Sequence, residues 1–381
     1  MEDWKEFLEE RERLNLLRRL SPSEDRRPGV AVRGGREYVD FSSNDYLGLS
    51  SHPALVAAAK GALDRFGMGA GASRLMSGNL SIHHELEEEV ASFKCSEGAL
   101  VFNSGYQANL GIIPALFGRG DLVLADRFCH ASQLDGALMS RATLLRYRHN
   151  DPGHLSDLLG KHRGRFRRCL VMTESVFSMD GDRAPLSSLV EISRACRCLL
   201  MVDEAHATGV FGPQGRGLIE AEGLAGQVDL VMGTFSKALG GFGGYLAASR
   251  TIIDFLVNSA RSFIYSTALP APVIAANLAG LRLCLSGEAD GADLLRRAAA
   301  FRDALRAKGW VVGGESQIVP VVVGDSGRAV SLSVYLADRG FLVLPVRPPT
   351  VPEGSARLRF SLTSAHGDDR LEGVLEALGA P

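Results

Sequence analysis

Between residues 98 and 248 the chain alternates short apolar runs with longer segments that mix apolar and polar positions at helical spacing. Six four-residue runs are almost wholly apolar, at 99–102, 122–125, 169–172, 199–202, 229–232 and 245–248. Strands that are apolar throughout and separated by helices are typical of a mainly parallel sheet covered on both faces. The pattern therefore predicts an α/β domain built around such a sheet.

The order of elements changes from about residue 276. The pattern there predicts helices over 289–308 and near 328–339, a final helix, and strands at 318–323, around 341–344 and at 357–362. This mixture indicates a smaller C-terminal α+β domain. We therefore divide the chain into an N-terminal segment 1–40, a large domain 41–275 and a small domain 276–381.

The first twenty residues show an amphipathic pattern and lack the apolar core of a secretory signal. Apolar side chains recur at near-helical spacing, at Trp4, Phe7, Leu8, Leu14 and Leu17. The longest apolar segment, 268–285, contains two prolines and Arg282, which favours a packed helix over a membrane span. We therefore expect a cytoplasmic protein with no membrane partner.

Charge and cysteine usage exclude several classes of function. The 42 basic and 44 acidic residues give a net charge of −2, which argues against a nucleic-acid partner. The single basic cluster, Lys161–Arg168, precedes a strand and is interpreted as a solvated loop. The six cysteines contain no CxxC pair, and His83-His84-Glu85 lacks the HExxH register, so we expect reduced thiols and no metal site.

Polar residues end four of the predicted core strands, at Asp126, Glu174, Asp203 and Thr234. Ligands of open parallel sheets bind beyond the carboxyl ends of the strands. We therefore expect these four side chains to form the floor of a site.

The segment LLMVDEAHATG, residues 199–209, has two functional interpretations. A strand ending in Asp-Glu-Ala-His is used by nucleic-acid helicases to hold magnesium and ATP, but such motors also need the phosphate loop GxxxxGK[ST]. The only Gly-Lys pair, Gly160-Lys161, is followed by His and lacks the upstream glycine. The ATPase interpretation is therefore rejected.

The second interpretation joins Asp203 to Lys237, which follows another apolar strand and precedes four glycines. A pyridoxal-phosphate (PLP) enzyme needs a lysine for a Schiff base and a carboxylate against the pyridine nitrogen. The phosphate needs hydroxyls and helix-start amides, which are available at Thr234, Ser236 and the Ser104-Gly105-Tyr106 turn. His130 offers a flat ring that could stack on the cofactor. Taken singly, Lys237 could be a surface lysine, Asp203 a helix cap and His206 a core histidine, but their combination favours the cofactor.

Five segments in order resemble the α-oxoamine synthases: SSNDYLGL, NSGYQANLG, TESVFSMDGD, MVDEAHATGVFG and GTFSKALGGFGGY. These are fold-type I PLP enzymes that condense an amino acid with an acyl-CoA and release carbon dioxide. The resemblance implies a large domain with a mainly parallel seven-stranded sheet, a smaller C-terminal α+β domain, PLP as the cofactor and a homodimer.

The resemblance also implies roles for individual residues. Lys237 matches the Schiff-base lysine, Asp203 the partner of the pyridine nitrogen, and His130 the histidine that stacks on the ring. The other residues assigned to the cofactor are Ser104, Gly105, Tyr106, Glu174, Ser178, His206, Thr234, Ser236, Ser266 and Thr267. Among these, His206 and Ser178 match the phenolic-oxygen side of the ring. Ser266 and Thr267 either reach the neighbouring subunit's phosphate or cap the following helix.

Four residues match substrate contacts of the family. Arg347 and Asn44 match groups near the amino-acid carboxylate, and Thr350 and Arg18 match other substrate contacts, with Arg19 open as an alternative to Arg18. The segment 347–366 resembles the branch that joins L-alanine to a pimeloyl thioester in biotin biosynthesis. Branches that use glycine with acetyl- or succinyl-CoA are the alternative, and the carrier of the acyl group, CoA or a carrier protein, stays open.

Overall fold

The structure is a computed structural model that describes residues 2–381. The chain forms two compact units that each combine separate stretches of sequence. The first unit contains the residues up to Gly48, Ser178–Asp182 and Asp293–Pro381, and the second contains Leu49–Phe177 and Arg183–Ala292.

The elements are numbered along the chain. The helices are α1 (Glu2–Arg13), α2 (Pro53–Phe66), α3 (Ser81–Phe93), α4 (Gly105–Leu116), α5 (Ala131–Ser140), α6 (Pro152–His162), α7 (Leu186–Ala195), α8 (Leu218–Ala221), α9 (Arg250–Ser259), α10 (Arg261–Ile264), α11 (Ala271–Ser286), α12 (Gly291–Ala307), α13 (Ser326–Asp338) and α14 (Asp368–Leu378). The strands are β1 (Asp25–Arg27), β2 (Val30–Arg33), β3 (Arg36–Asp40), β4 (Gly98–Phe102), β5 (Leu122–Asp126), β6 (Thr143–Tyr147), β7 (Cys169–Glu174), β8 (Leu199–Asp203), β9 (Leu230–Thr234), β10 (Gly244–Ala248), β11 (Ile318–Gly324), β12 (Phe341–Leu342), β13 (Pro345–Val346) and β14 (Ala356–Ser361).

The second unit is built on a seven-stranded sheet in the order β4-β10-β9-β8-β7-β5-β6. Strand β10 runs antiparallel to both of its neighbours, and the other pairs are parallel. The mainly parallel sheet is confirmed, and all six apolar runs are strands in it. The seventh strand, β6, escaped the pattern because it lies at the sheet edge, where its first four residues are partly or fully exposed.

The first unit contains two small sheets. Strands β11, β14 and β13 form an antiparallel sheet, in which β11 and β14 pair residues more than thirty positions apart in sequence. Phe41 lies in the core of this unit, against Phe301, Phe360 and the ring of His366. The expected α+β character of the C-terminal part is confirmed.

The boundaries of the compact units differ from those expected at residues 40 and 275. The N-terminal strands do not stand apart, because β3 pairs in parallel with β12 of the C-terminal part and completes the sheet β1-β2-β3-β12. Helix α11 belongs to the second unit because it packs on α2 and α3. Ser178–Asp182 joins the first unit, where Arg357 donates a hydrogen bond to Asp180.

Helix α1 forms where the amphipathic pattern predicts it, but none of its described residues is buried. Trp4 is 71% exposed, and Phe7 and Leu8 are each 52% exposed. Among residues 2–381, no helix is both long and apolar enough to cross a membrane.

The basic cluster at Lys161–Arg168 is engaged within the second unit. Arg167 and Arg168 both donate hydrogen bonds to the buried carboxylate of Asp121, and Arg163 donates to main-chain carbonyls. Burial by itself would raise the pKa of Asp121, but the hydrogen bonds from the two arginines outweigh it and lower the pKa to about 2. The cluster is therefore not the solvated loop expected from the sequence, because Lys161 and His162 end helix α6 and those arginines bind Asp121 and main-chain carbonyls.

Lys94 and Glu204 form a buried ion pair beneath the strand end that carries Asp203. The Lys94 Nζ lies 2.8 Å from Glu204 Oε2 and 3.0 Å from Thr208 Oγ1, and the two charged side chains are 2% and 0% exposed. Burial lowers the pKa of Lys94, but the charges and hydrogen bonds that act on its ammonium group, led by those of Glu204, together have a larger effect in the opposite direction. The pKa of Lys94 is therefore raised. The other oxygen of Glu204 accepts the Ile219 N–H, at 2.9 Å. The pair therefore fixes the turn after β8.

Replacing Lys94 by Met should lower the free energy of unfolding by about 3–5 kcal/mol, because Glu204 would be left buried without a counter-ion. Urea unfolding followed by circular dichroism measures this change. The matched control is Arg282→Met, which breaks an exposed ion pair with Glu85 and Glu89 and should cost no more than about 1 kcal/mol. Equal losses for both variants would contradict the assignment.

Candidate active site

The parallel register of the second unit aligns the polar strand ends. Glu174 of β7 lies opposite Asp203 of β8, and Asp203 lies opposite Met232 of β9, two residues before Thr234. Glu174, Asp203 and Thr234 are buried and line a cavity of ≈ 240 Å³. Ten of the predicted cofactor residues line this cavity: Ser104, Gly105, Tyr106, His130, Glu174, Asp203, His206, Thr234, Ser236 and Lys237.

Asp126, the fourth strand end, does not line the cavity. Its carboxylate contacts His149 Nδ1 at 2.9 Å and accepts the main-chain N–H groups of Phe128 and Asn150. These bonds shape the turn between β5 and α5, the turn that carries His130. The expectation that all four strand ends form the cavity floor is therefore corrected at Asp126, because local amides and His149 take up its oxygens.

Lys237 lies in a tight loop between β9 and β10. Its Nζ is 2.8 Å from His206 Nε2. The loop is closed by the Phe235 N–H to Gly243 carbonyl bond and the Gly241 N–H to Phe235 carbonyl bond, at 3.0 and 2.9 Å. These bonds hold the lysine at the cavity.

The glycines after Lys237 allow the loop to pack closely on its surroundings. Gly240 has φ +69°, and a Cβ there would lie 2.5 Å from the Leu49 carbonyl carbon. A Cβ on Gly241 would lie 2.0 Å from Asn277 Oδ1, which accepts the Phe242 N–H. No other residue could take either place without moving the loop.

Asp203 is oriented by two donors. Its Oδ1 accepts the Ala205 N–H at 2.9 Å, and its Oδ2 lies 3.5 Å from Asn109 Nδ2. Asn109 also donates to Ser132 Oγ at 2.9 Å. The sequence analysis missed Asn109 and Ser132, although a buried amide in the otherwise apolar helix α4 was a usable signal.

His130 caps helix α5 with its own ring. Its Nδ1 accepts the Ser132 N–H at 3.2 Å and lies 2.7 Å from Ser132 Oγ, which fixes the ring plane. Burial lowers the pKa of His130, Asp203 acts in the opposite direction, and Lys237 lowers the pKa further. A neutral, fixed ring is suited to stacking on a flat ligand.

The start of α4 and two hydroxyl groups lie together on the cavity wall. Ser104 caps this helix by accepting the Gln107 N–H at 3.1 Å, and the hydroxyls of Thr234 and Ser236 lie 2.8 Å apart nearby on the cavity wall. The space is tight, because a Cβ on Gly105 would come 2.9 Å from Met232 Cε. Main-chain amides at a helix start together with hydroxyls are suited to bind a phosphate.

Three predicted cofactor residues do not line this cavity. Ser178 belongs to the first unit, where its carbonyl accepts a hydrogen bond from Arg359 Nε. Ser266 Oγ and the Thr267 carbonyl both accept from Asn103 Nδ2, at 3.0 and 2.9 Å. Helix α11 begins after Pro270 with no side-chain cap. The alternative that Ser266 and Thr267 cap this helix is therefore wrong, because the helix begins too far along the chain.

The predicted substrate residues all lie in the first unit. Arg18 donates to Thr350 Oγ1 at 2.9 Å, whereas Arg19 pairs with Glu12 in α1. Arg347 donates to the Asn15 carbonyl. Burial, and then the charge of Arg18, lower the pKa of Arg347. Two arginines that repel each other in this way are suited to share an anion.

Arg359 is a charged residue that the sequence analysis did not select. It is 8% exposed and contacts Asn44 Oδ1 and Tyr46 Oη, both at 3.4 Å, besides the Ser178 carbonyl. It forms no ion pair within residues 2–381, unlike Arg357. A buried guanidinium without a counter-ion is expected to meet an anionic ligand. Two arginines in the otherwise apolar strand β14 were the available signal.

Comparison with known proteins places the chain in a family. The aminotransferase class I and II family matches residues 36–378. The 8-amino-7-oxononanoate synthase of Geobacter sulfurreducens is 53% identical over 350 residues, which cover 91% of this chain and 89% of that protein. The enzyme of the same name from Geotalea daltonii is 48% identical over 383 residues, which cover 99% and 97%. The chain belongs to the 8-amino-7-oxononanoate synthase family.

Solved structures agree with this assignment. Serine palmitoyltransferase from S. paucimobilis, with a bound PLP–myriocin compound, has a TM-score of 0.94 and 34% identity, covering 99% of this chain and 96% of that one. An 8-amino-7-oxononanoate synthase from Francisella tularensis has a TM-score of 0.78 and 32% identity, covering 90% and 96%. The fold-type I architecture and the predicted cofactor, PLP, are confirmed for this family member.

Replacing Gly241 by Ala should displace the loop that carries Lys237, because the new Cβ would overlap Asn277 Oδ1. We expect a loss of about 1–3 kcal/mol in the free energy of unfolding, together with weaker PLP binding measured by absorbance titration. The control is Gly160→Ala in α6, where a Cβ meets open space, and this variant should bind PLP normally. Unchanged PLP affinity in Gly241→Ala would show that the loop tolerates displacement.

Proposed function

We propose that this chain catalyses the decarboxylative condensation of L-alanine with a pimeloyl thioester, which forms 8-amino-7-oxononanoate, carbon dioxide and the free thiol, for biotin biosynthesis. The decisive observation is the cavity at the strand ends, where Lys237 lies beside His206 and Asp203 is held by Asn109 and the Ala205 amide. Family relatives named for this product share up to 53% of aligned residues, which supports the assignment.

The cavity residues fit PLP. A Cβ on Gly105 or Gly244 would fill the space at the start of α4, and the buried Oε1 of Glu174 and Oδ1 of Asn109 have no hydrogen-bond partner in the described chain. Phosphate would bind the α4 amides, Thr234 and Ser236. The Asp203 carboxylate would bind the pyridine nitrogen, and His130 would cover a ring face. When bound, PLP supplies an electron-withdrawing ring that stabilises negative charge at the substrate's α-carbon.

Lys237 holds the cofactor and also moves a proton. With alanine bound in the cavity, the free amine of Lys237 would be able to remove the α-proton as a general base. His206 lies within hydrogen-bond distance of this amine, so it can position the Nζ. After carbon dioxide has left, the same amine can return the proton at the α-carbon.

Two arginines, Arg347 and Arg359, are proposed to bind the substrate's carboxylates. Arg347, with Arg18 and Thr350, has the paired positive charge that suits an anion. Arg359, with Asn44, has a buried guanidinium that suits a bidentate carboxylate. We assign the alanine carboxylate to one of these arginines and the distal pimeloyl carboxylate to the other.

The active protein is proposed to be a cytoplasmic homodimer that binds small molecules, with no nucleic-acid or membrane partner. Ser266 and Thr267 lie outside the cavity of their own chain, and Asn103 holds them near the surface. These positions support a role for their hydroxyls at the neighbouring subunit's phosphate.

Turnover should be greatest with alanine plus pimeloyl-CoA among pairs of alanine, glycine or serine with pimeloyl-, acetyl-, succinyl- or palmitoyl-CoA. Thiol release measures turnover, and mass spectrometry identifies the product. A pocket discriminates amino acids that differ by one methyl group by only about 1–3 kcal/mol of transition-state binding free energy, so some activity with glycine is expected. Efficient turnover of glycine with a short acyl-CoA, and none with alanine and pimeloyl-CoA, would contradict the proposal.

The matched control is Lys237→Ala, which should give no turnover with any pair. Borohydride should fix PLP to Lys237 in the unchanged protein and to no residue in this variant. Arg347→Lys and Arg359→Lys should each raise KM, one for alanine and the other for the acyl donor, because Lys cannot form the bidentate contact. Each shift identifies the carboxylate that the arginine binds.

Mixing two inactive variants tests whether sites are shared between subunits. Lys237→Ala should be combined with Ser266→Ala/Thr267→Val after the latter has been shown to bind PLP weakly. In a shared arrangement one of the two sites of each hybrid dimer is intact, so about a quarter of normal activity should return. No recovery despite subunit exchange measured by mass spectrometry would place both hydroxyls in their own chain's site.

A further inference from the structure

Glu174 is a second carboxyl group on the floor of the cavity, beside Asp203. The two residues are directly opposed on neighbouring parallel strands, so their side chains point to the same face of the sheet. Glu174 is 3% exposed and Asp203 is 6% exposed. Two ionised carboxylates placed together in a buried site repel each other strongly.

The charges of several neighbouring groups act on Glu174. Asp203 of β8 and Asp126 of β5 are acidic, Lys237 of the loop after β9 is basic, and the Cys129 thiol lies before α5. Burial and then Asp203 raise the pKa of Glu174 well above its usual range, and Lys237 offsets only part of this effect. The positive charge of Lys237 is therefore shared between carboxyl groups.

The surroundings of the Glu174 carboxyl group leave one of its oxygens unsatisfied. The main-chain N–H of His130 lowers the pKa of this group, but by less than burial and Asp203 raise it. Oε1 is buried and has no hydrogen-bond partner in the described chain, although Glu174 lines the cavity. An unpartnered buried oxygen is costly unless a ligand completes it. A protonated Oε1 would be a donor directed at that ligand.

We propose that Glu174 is a hydrogen-bond donor to the bound cofactor, presenting an O–H to one of its acceptor atoms and leaving Asp203 as the only negative charge of the pair. The inference rests on the proposed function, since it requires PLP in this cavity. Glu174 would then affect the electronic properties of the ring, because one carboxylate rather than two would compensate the positive charges of the pyridine nitrogen and Lys237.

Two variants with side chains of similar size distinguish the effect of the Glu174 hydrogen-bond donor from the effect of a negative charge at this position. Glu174→Gln keeps a donor without a charge, and Glu174→Leu removes the donor. PLP affinity, measured by absorbance titration of the apo protein, should stay within about threefold in Glu174→Gln and fall about tenfold in Glu174→Leu, the usual effect of losing one hydrogen bond. Asp203→Asn is the comparison in which a true negative charge is lost.

The protonation state has two direct readouts in the holo protein. The infrared difference between the unchanged protein and Glu174→Gln should contain the carbonyl band of a protonated carboxylic acid. The midpoint of the pH titration of the Lys237-bound cofactor's visible absorption should move by less than about 0.3 units in Glu174→Gln. If Glu174 were ionised, its replacement by Gln would remove a negative charge beside the cofactor and would instead lower that midpoint by about one pH unit.

The outcomes distinguish this inference from the proposed function. A missing carboxylic-acid band, or a midpoint that falls by about one unit in Glu174→Gln, overturns the donor role while PLP binding stands. Equal PLP affinity in Glu174→Gln and Glu174→Leu also overturns it. Failure of the unchanged protein to bind PLP at all overturns the proposed function first.

Discussion

The parallel register of β7, β8 and β9 is the constraint on which the site depends. Their carboxyl ends meet at one edge of the sheet, so Glu174, Asp203 and Thr234 converge although they are about thirty residues apart in sequence. A slip of one residue in either pairing would turn one of these side chains to the opposite face. Almost every residue of β7, β8 and β9 is buried, so such a slip would be costly.

Buried ionisable side chains in this protein fall into two groups. Lys94 with Glu204 and Arg357 with Asp180 are compensated by an opposite charge within the chain, and they fix turns and segments. Glu174 and Arg359 are buried without an ion-pair partner in the described chain. Because an uncompensated buried group is unfavourable, the second group indicates where ligand atoms complete the structure.

The loop that carries Lys237 packs against helix α11, which is distant from it in sequence. Asn277 of α11 donates to the Phe242 carbonyl and accepts the Phe242 N–H, and Gly280 packs against the Leu239 carbonyl. Helix α11 therefore supports the loop that carries Lys237 and belongs with the large sheet. Apolar composition by itself could not show this, since a packed helix has the same pattern in either unit.

The sequence by itself determined the six central strands, the polar strand ends and the presence of Lys237 and Asp203 at one cavity, because these depend on local periodicity and on the residue types that PLP chemistry needs. It did not reveal edge strand β6, the supporting amide of Asn109 or the isolated charge of Arg359. Only tertiary structure decided these, and also the assignment of α11 and β3 to their units. Such features depend on contacts between residues far apart in sequence, and neither local propensity nor periodicity contains that information.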